Sequence, residues 1–259
     1  MNKKIAFASD YDNTLYRHGR ILRGISKKDA AAITAFRERG GLFGLCSGRP
    51  YRGFFRDPVI KKLRIDFYIA STGAHILDTN GDVLFEKTIP HEIAEEIFQY
   101  GEEALRHSVQ VDGGFYLYGD KWKGKNEPRI HSLAEVKGQK LYEFSFHLPT
   151  AEAAAELTLR INENFGDAAC AFQNINDIDI VAAGCSKGTG AHFIREHYGL
   201  ELIAGMGDSM NDEPLLLAAD IGYTFPKSPG ALKDSADRLA KSVADALRQT
   251  EGIAFGAST

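Results

Sequence analysis

Two aspartates one residue apart, in Asp10-Tyr11-Asp12-Asn13-Thr14, follow directly on the short apolar run 4–9. A run that short and that apolar reads as a buried parallel strand, and open α/β sheets bind ligands at the carboxyl ends of such strands. Alternation sets the two carboxylates side by side. One, bound to a cation, would stay ionised as a nucleophile, while the other, next to negative charge, would hold a proton for a leaving group. A DxD pair alone fits an Asp cap or a loop acid equally well, so the remaining loops decide. Cys46-Ser47-Gly48-Arg49 ends a second apolar run with a hydroxyl, a flexible glycine and exposed amides, a seat for an anion. Within Gly184-Cys185-Ser186-Lys187-Gly188-Thr189-Gly190, Lys187 stands at a loop-to-helix junction where its ammonium can neutralise a phosphoryl oxygen. The spacing is not that of a P-loop. Gly207-Asp208-Ser209-Met210-Asn211-Asp212 supplies further carboxylates after another apolar run and fails as a dinucleotide fingerprint. An acid pair, a hydroxyl, a lysine and an acid cluster on successive strand-end loops are the set that phosphoryl transfer with Mg2+ requires.

The elements that must position these residues follow from hydrophobic periodicity. Ser26 reads as an N-cap, Ala30, Ile33 and Phe36 return at helical spacing over 27–39, Gly40-Gly41 closes the helix, and 42–46 resumes a buried strand. The far end repeats the pattern, with helices over 188–197 and 211–218 and strands over 201–206 and 220–225. The middle differs. Thr79-Asn80-Gly81-Asp82 joins two short apolar runs as a hairpin, Pro90 opens a helix to about residue 107, and 109–118 folds back across Asp112-Gly113-Gly114. In 141–148 the residues Leu141, Glu143, Ser145 and His147 alternate with Tyr142, Phe144, Phe146 and Leu148, which predicts a strand with one buried face. A second helix from Pro149-Thr150 to residue 164 and strands over 169–173 and 177–182 complete a twice-repeated helix-strand-strand pattern, the mark of a small α+β domain on an antiparallel sheet.

In order along nearly the whole chain, Asp10-x-Asp12-x-Thr14, Ser47-Gly48-Arg49, Lys187 and Gly207-Asp208-Ser209-x-Asn211-Asp212 resemble the four motifs of the haloacid dehalogenase (HAD) superfamily of phosphohydrolases. The wide gap between Ser47 and Lys187 resembles the Cof-type members, whose α+β cap is inserted between the second and third motifs, and Ser71-Thr72-Gly73-Ala74 adds to the likeness. The resemblance implies an α/β fold: a Rossmann-like parallel-sheet core in two pieces, 1–84 and 185–259, with a cap domain at 85–184 built as an antiparallel sheet with two helices on one face. It implies that Asp10 attacks phosphorus to form an aspartyl-phosphate, and that Asp12 protonates the leaving alkoxide and later activates water. Mg2+ would be held by Asp10, the backbone carbonyl of Asp12 and Asp208, with Asp212 supporting. Ser47, Gly48, Lys187 and Asn211 would bind the phosphoryl oxygens, and Arg49 is a further candidate substrate contact. Two positions depart from the family pattern. Asn13 stands where glycine is usual, a residue that tolerates left-handed backbone, and Thr72 replaces the usual asparagine before Gly-Ala, which removes an amide contact.

The expectation is a Mg2+-dependent phosphatase acting on a small phosphate monoester, foremost a sugar phosphate, with the cap closing over it about hinges near 85–90 and 182–186. A phosphotransferase or mutase shares the same motifs. A signalling phosphoacceptor shares the acids, hydroxyl and lysine but needs about half the chain and no cap. Composition agrees with a globular enzyme: 259 residues, 44% hydrophobic and 25% charged, suit a large core plus an insertion. With 31 Lys and Arg against 35 Asp and Glu and no recurring basic run, nucleic acid is not an expected partner. No apolar stretch reaches the length of a membrane span and no signal segment is evident, so neither membrane attachment nor export is expected and the chain reads as cytoplasmic. The three cysteines, Cys46, Cys170 and Cys185, form no CxxC pair and read as reduced thiols. None of the eight histidines has HExxH spacing. The stretch Phe115, Tyr116, Tyr118, Trp122 with Lys121, Lys123 and Lys125 fits a hairpin packing face with a solvated lysine loop better than a ring-binding surface.

Overall fold

The apolar run at the start of the chain becomes a strand whose six residues are all buried, and the sheet is laid out around it. The computed structural model describes residues 3–19, 23–55, 60–122 and 126–256. The first segment contains β1 (Ile5–Asp10), β2 (Tyr16–His18), β3 (Arg23–Ile25), α1 (Lys27–Glu38), β4 (Leu42–Cys46), α2 (Tyr51–Phe54), β5 (Phe67–Ala70), β6 (His75–Asp78) and β7 (Val83–Glu86). The middle holds α3 (His91–Tyr100), β8 (Arg106–Val111), β9 (Gly114–Tyr118), β10 (Arg129–Ile130), β11 (Leu141–His147), α4 (Ala151–Phe165), β12 (Ala169–Asn174) and β13 (Asp177–Ala182). The last segment holds α5 (Lys187–Tyr198), β14 (Leu202–Met206), α6 (Glu213–Ala218), β15 (Ile221–Thr224), α7 (Gly230–Asp234), β16 (Arg238–Leu239) and α8 (Val243–Phe255). The described residues form two compact units: those up to Leu84 together with those from Ser186 onward, and Phe85–Cys185.

In the first unit an eight-stranded sheet runs β16-β15-β14-β1-β4-β5-β6-β7. The strands from β16 to β5 are parallel, and β6 returns antiparallel to β5. Phe7 of β1 stacks on Phe43 and Tyr223, so the strand order is fixed by rings as well as by the ladder. Ser26 caps α1 by accepting from the Asp29 amide, and Ile33 and Phe36 point inward. Ser186 and Thr189 form a capping box that starts α5 at Lys187. Two elements lie outside those expected from the sequence: α8, which Ser242 caps by accepting from the Asp245 amide, and the small hairpin of β2 with β3.

The second unit is an α+β body on a six-stranded sheet ordered β10-β9-β8-β11-β13-β12. The sheet is antiparallel as expected, apart from the two-residue β9–β10 pair at its edge, which is parallel. Two of the sequence expectations need correction here. The helix opened by Pro90 ends at Tyr100, capped by the Gly101 amide, rather than near residue 107. His107 instead lies in β8, buried with its ring against Phe98, Tyr118 and Phe146, and its Nε2 is 2.8 Å from the carbonyl of Gly101, the residue that ends the helix. The polar side of β11 is not solvated at its start. Glu143 is 1% exposed and its Oε1 accepts from Gln110 Nε2 at 2.6 Å, the residue opposite it on β8, since β11 is an inner strand flanked by β8 and β13. Trp122 Nε1 donates to the His107 carbonyl and Lys121 Nζ to the Ala104 carbonyl, so these residues of the aromatic stretch pack on their own unit. Lys123 and Lys125 lie outside the described residues.

Asp29 ties two distant segments of the first unit together. It is 1% exposed, accepts from the Ala244 amide at 2.9 Å on Oδ1, and accepts from Ser26 Oγ at 2.6 Å on Oδ2, linking the starts of α1 and α8. Replacing Asp29 by Ala orphans a buried amide and is expected to lower the unfolding free energy by ~2 kcal/mol in urea titrations; an unchanged midpoint would contradict the tie.

Candidate active site

Strand β1 lies between β4 and β14 and is parallel to both, with Asp10 opposite Cys46 and Ser9 opposite Met206. The loops that follow these three strands therefore leave the sheet at one edge, where the strand order switches direction around β1. Asp10 ends β1, Ser47 follows β4, Gly207 follows β14, and Lys187 opens α5. Lys187 is 1% exposed, and its Nζ donates to Asp10 Oδ1 at 2.9 Å and to Asp212 Oδ1. Asp212 is fully buried, and its other oxygen, Oδ2, accepts from the Asp208 amide at 2.9 Å and the Ser209 amide at 3.1 Å. Gly207 is required beside it, because a Cβ there would fall 2.2 Å from the Asp212 Cβ. Thr14 Oγ1 donates to Asp208 Oδ1 at 3.1 Å.

Asp10, Asp208 and Asp212 each bring a carboxylate oxygen within 4.8 Å of the others. Burial and then the facing Asp212 push the Asp208 carboxyl up to about 6, and burial with the Asp212 charge raises Asp10 despite Lys187. Burial opposes the charge on Lys187, but Asp10 and Asp212 outweigh it and hold the ammonium protonated. Hard, anionic oxygens that repel one another are the donor set that a small divalent cation such as Mg2+ satisfies. Asp10, Asp208 and Asp212 fit that ion; the Asp12 side chain is not part of the cluster.

Asp12 is held elsewhere. Arg49 donates from Nε to Asp12 Oδ2 and from Nη2 to Oδ1, both at 2.6 Å, and His18 Nε2 lies 2.6 Å from Oδ1. Burial raises the Asp12 carboxyl, yet Arg49 and His18 together carry it below its ordinary range. The expectation that Asp12 sits next to negative charge and so retains a proton is corrected: its neighbours are a guanidinium and an imidazole. Ser47 is buried and its Oγ accepts from the Arg49 amide at 3.2 Å, with Gly48 between them. The loop is braced from below, since the Ser71 amide donates to the Arg49 carbonyl and the Thr72 amide to the Ser47 carbonyl. Ser71, Thr72 and Gly73 have φ of 46°, 49° and 93°, three successive left-handed residues, and a Cβ on Gly73 would meet the Ser186 carbonyl oxygen at 2.1 Å. Asn211 is buried in the single turn Met210–Asp212, its Oδ1 accepting from Ser209 Oγ at 2.7 Å. Thus Asp10, Lys187, Asp208 and Asp212 meet in one cluster, and Asp12 meets Arg49 in another. Sequence reasoning missed His18, Thr14 as a partner of Asp208, and Gly207 as a steric requirement. Thr14 and Gly207 were signalled by their places in the first and fourth motifs, and His18 by nothing.

The family model for haloacid dehalogenase-like hydrolases matches residues 7–247. The chain belongs to that family. Among curated relatives of this HAD-like hydrolase, the HMP-PP phosphatase of Escherichia coli K12 is 23% identical over 234 residues, spanning 83% of this chain and 82% of its own. Among solved structures, a HAD subclass IIB sugar phosphatase superposes with a TM-score of 0.79 at 20% identity, covering 98% of this chain and 99% of the other. A HAD/COF-like hydrolase from Plasmodium vivax does so with a TM-score of 0.82 at 18% identity, covering 97% and 96%. Both share the fold, a parallel-sheet core with an additional α+β body. Among the described residues no helix is long and apolar enough to cross a membrane.

The raised Asp208 value has a consequence for stability in the metal-free protein. A carboxyl whose folded value lies above its unfolded value of 3.8 favours the fold while protonated, and this contribution is lost as pH rises through about 6. With EDTA at pH 7.5, Asp208→Asn is therefore expected to be more stable than the wild type by ~1–2 kcal/mol, allowing for solvent screening. The difference should vanish toward pH 4, and Mg2+ should raise the melting temperature of the wild type more than that of the variant. Calorimetry at the two pH values, with and without Mg2+, reads all three effects.

Proposed function

We propose that this HAD-like hydrolase is a Mg2+-dependent phosphomonoesterase that releases phosphate from a small soluble ester, with sugar phosphates the first class to test. The observation that carries the reading is the buried cluster of Asp10, Lys187, Asp208 and Asp212 at the carboxyl edge of the parallel sheet. Similarity to an HMP-PP phosphatase and to a sugar phosphatase supports a phosphate-ester substrate. The division into 1–84, 85–184 and 185–259 is kept as a proposal for core and cap, the compact units changing hands at Cys185–Ser186.

In this reading Asp10 supplies the nucleophilic oxygen. Its lone pair forms a bond to phosphorus as the bond to the ester oxygen breaks, giving an aspartyl-phosphate, which water then cleaves. Bound to Asp10, Asp208 and Asp212, together with the Asp12 backbone carbonyl, Mg2+ would neutralise charge on the transferring group. Lys187 lies where it can hold a phosphoryl oxygen while remaining charged, and Asp212 keeps it there. Ser47 and the Gly48 amide, braced by the left-handed turn at Ser71–Gly73, and Asn211 complete the seat. Arg49 is the candidate for reaching a further oxygen of the substrate. Asp12 as it stands, ionised, suits the base that activates water in the second step. The acid of the first step needs Arg49 drawn away from it, so that the carboxyl can carry a proton.

Asp10→Asn keeps an acceptor for Lys187 and removes the nucleophile. Mg2+-dependent phosphate release, screened over sugar phosphates, nucleotides and pyridoxal phosphate, is expected to fall at least ~10³-fold with the fold intact by circular dichroism. Retained turnover would sink the nucleophile assignment. EDTA should silence the wild type and added Mg2+ should restore it.

A further inference from the structure

Asp12 and Arg49 belong to a closed ring of contacts that the motifs do not describe. Arg49 lies over the Tyr11 ring at 5.2 Å, Tyr11 stacks on Tyr16 at 5.4 Å, Tyr16 meets His18 at 4.8 Å, and His18 closes on Asp12 at 2.6 Å. The turn that returns the chain is itself fixed. Asn13 takes φ 61°, its amide donates to the Tyr16 carbonyl at 2.8 Å, and the Tyr16 amide donates to the Tyr11 carbonyl at 2.7 Å. The hairpin of β2 and β3 thus sets His18 beside a carboxylate six residues earlier.

Arg49 has two claims on it. It occupies both oxygens of Asp12, and it is the candidate contact for the substrate anion. A guanidinium that turns to a substrate leaves Asp12, and among the described residues the side chain still bonded to Asp12 is then His18. We propose that His18 is a positioning residue: it holds Asp12 Oδ1 in place when Arg49 is engaged elsewhere, so that the carboxyl stays oriented for proton transfer. The step it serves is balanced as follows. The Asp12 carboxyl O–H gives its proton to the ester oxygen as the P–O bond breaks, the bond's electron pair stays on that oxygen, and Asp10 gains the bond to phosphorus. This inference rests on the reading of Asp12 as proton donor.

The test separates proton delivery from everything else by varying the leaving group. p-Nitrophenolate departs without a proton, whereas phenolate needs one, so kcat/KM for p-nitrophenyl phosphate and phenyl phosphate, measured at one pH with saturating Mg2+, reports the donor. His18→Ala is expected to lower the phenyl phosphate value ~30-fold and the p-nitrophenyl phosphate value less than ~threefold, with His18→Gln, whose amide can donate to Oδ1, recovering most of the loss. Equal losses on both esters, or no loss on either, would overturn the positioning role. Asp12→Ala is the control for the underlying reading. Should it lack leaving-group dependence, the donor assignment fails and the role of His18 with it; should it show the dependence while His18→Ala does not, His18 alone is excluded.

Discussion

Three carboxylates crowded at one sheet edge repel one another, and the arrangement of the first unit is a response to that repulsion. A single buried ammonium, Lys187, touches two of them, and two backbone amides of the following loop take the free oxygen of Asp212. Neither device neutralises Asp208, whose carboxyl is pushed up to about 6. The residual negative charge is what a divalent cation would meet. Stability and function are therefore in opposition here, as expected where like charges are gathered for chemistry. The sheet tolerates the opposition because β1 is covered on both faces and laddered on both sides.

The second cluster works by the opposite logic. Asp12 has more partners than it needs, two from Arg49 and one from His18, and is held ionised. Two aspartates separated by one residue thus experience contrary fields, one raised and one lowered. The roles proposed for them need both fields to change, since a cation facing Asp10 would favour its ionised form and the departure of Arg49 from Asp12 would let that carboxyl take up a proton.

Much of this was legible in the residues. Apolar runs ending in Asp10, Cys46 and Met206 mark the strands, and the polar residues that follow them are the ones gathered at the sheet edge. The helix start at Ser26 was readable from its cap, and the loop-to-helix junction at Lys187 from the glycines around it, though not from Ser186 as its cap. What escaped is contact made across long sequence separation or by unremarkable residue types. His18 is one of eight histidines, and nothing in its neighbours marks a hairpin that returns it to Asp12. Glu143 looked like a solvated strand position because alternation reveals which side a residue is on, not what covers that side. The assumption that Asp12 lay next to negative charge considered only its chain neighbour, whereas Arg49 arrives from β4's loop, 37 positions away.

The close approach of Gly73 to the Ser186 carbonyl bears on how the chain accommodates an insertion of some hundred residues. The point where the chain re-enters the first unit is clamped by the turn at Ser71–Gly73 and by the capping box at Ser186, both within that unit. Lys187 is thus registered one residue after the junction by its own unit. Both of these contacts are made within the first unit, so they do not depend on the length of the intervening segment. Under the proposed division into core and cap, the part that would choose a substrate can change while the residues that would transform it keep their places.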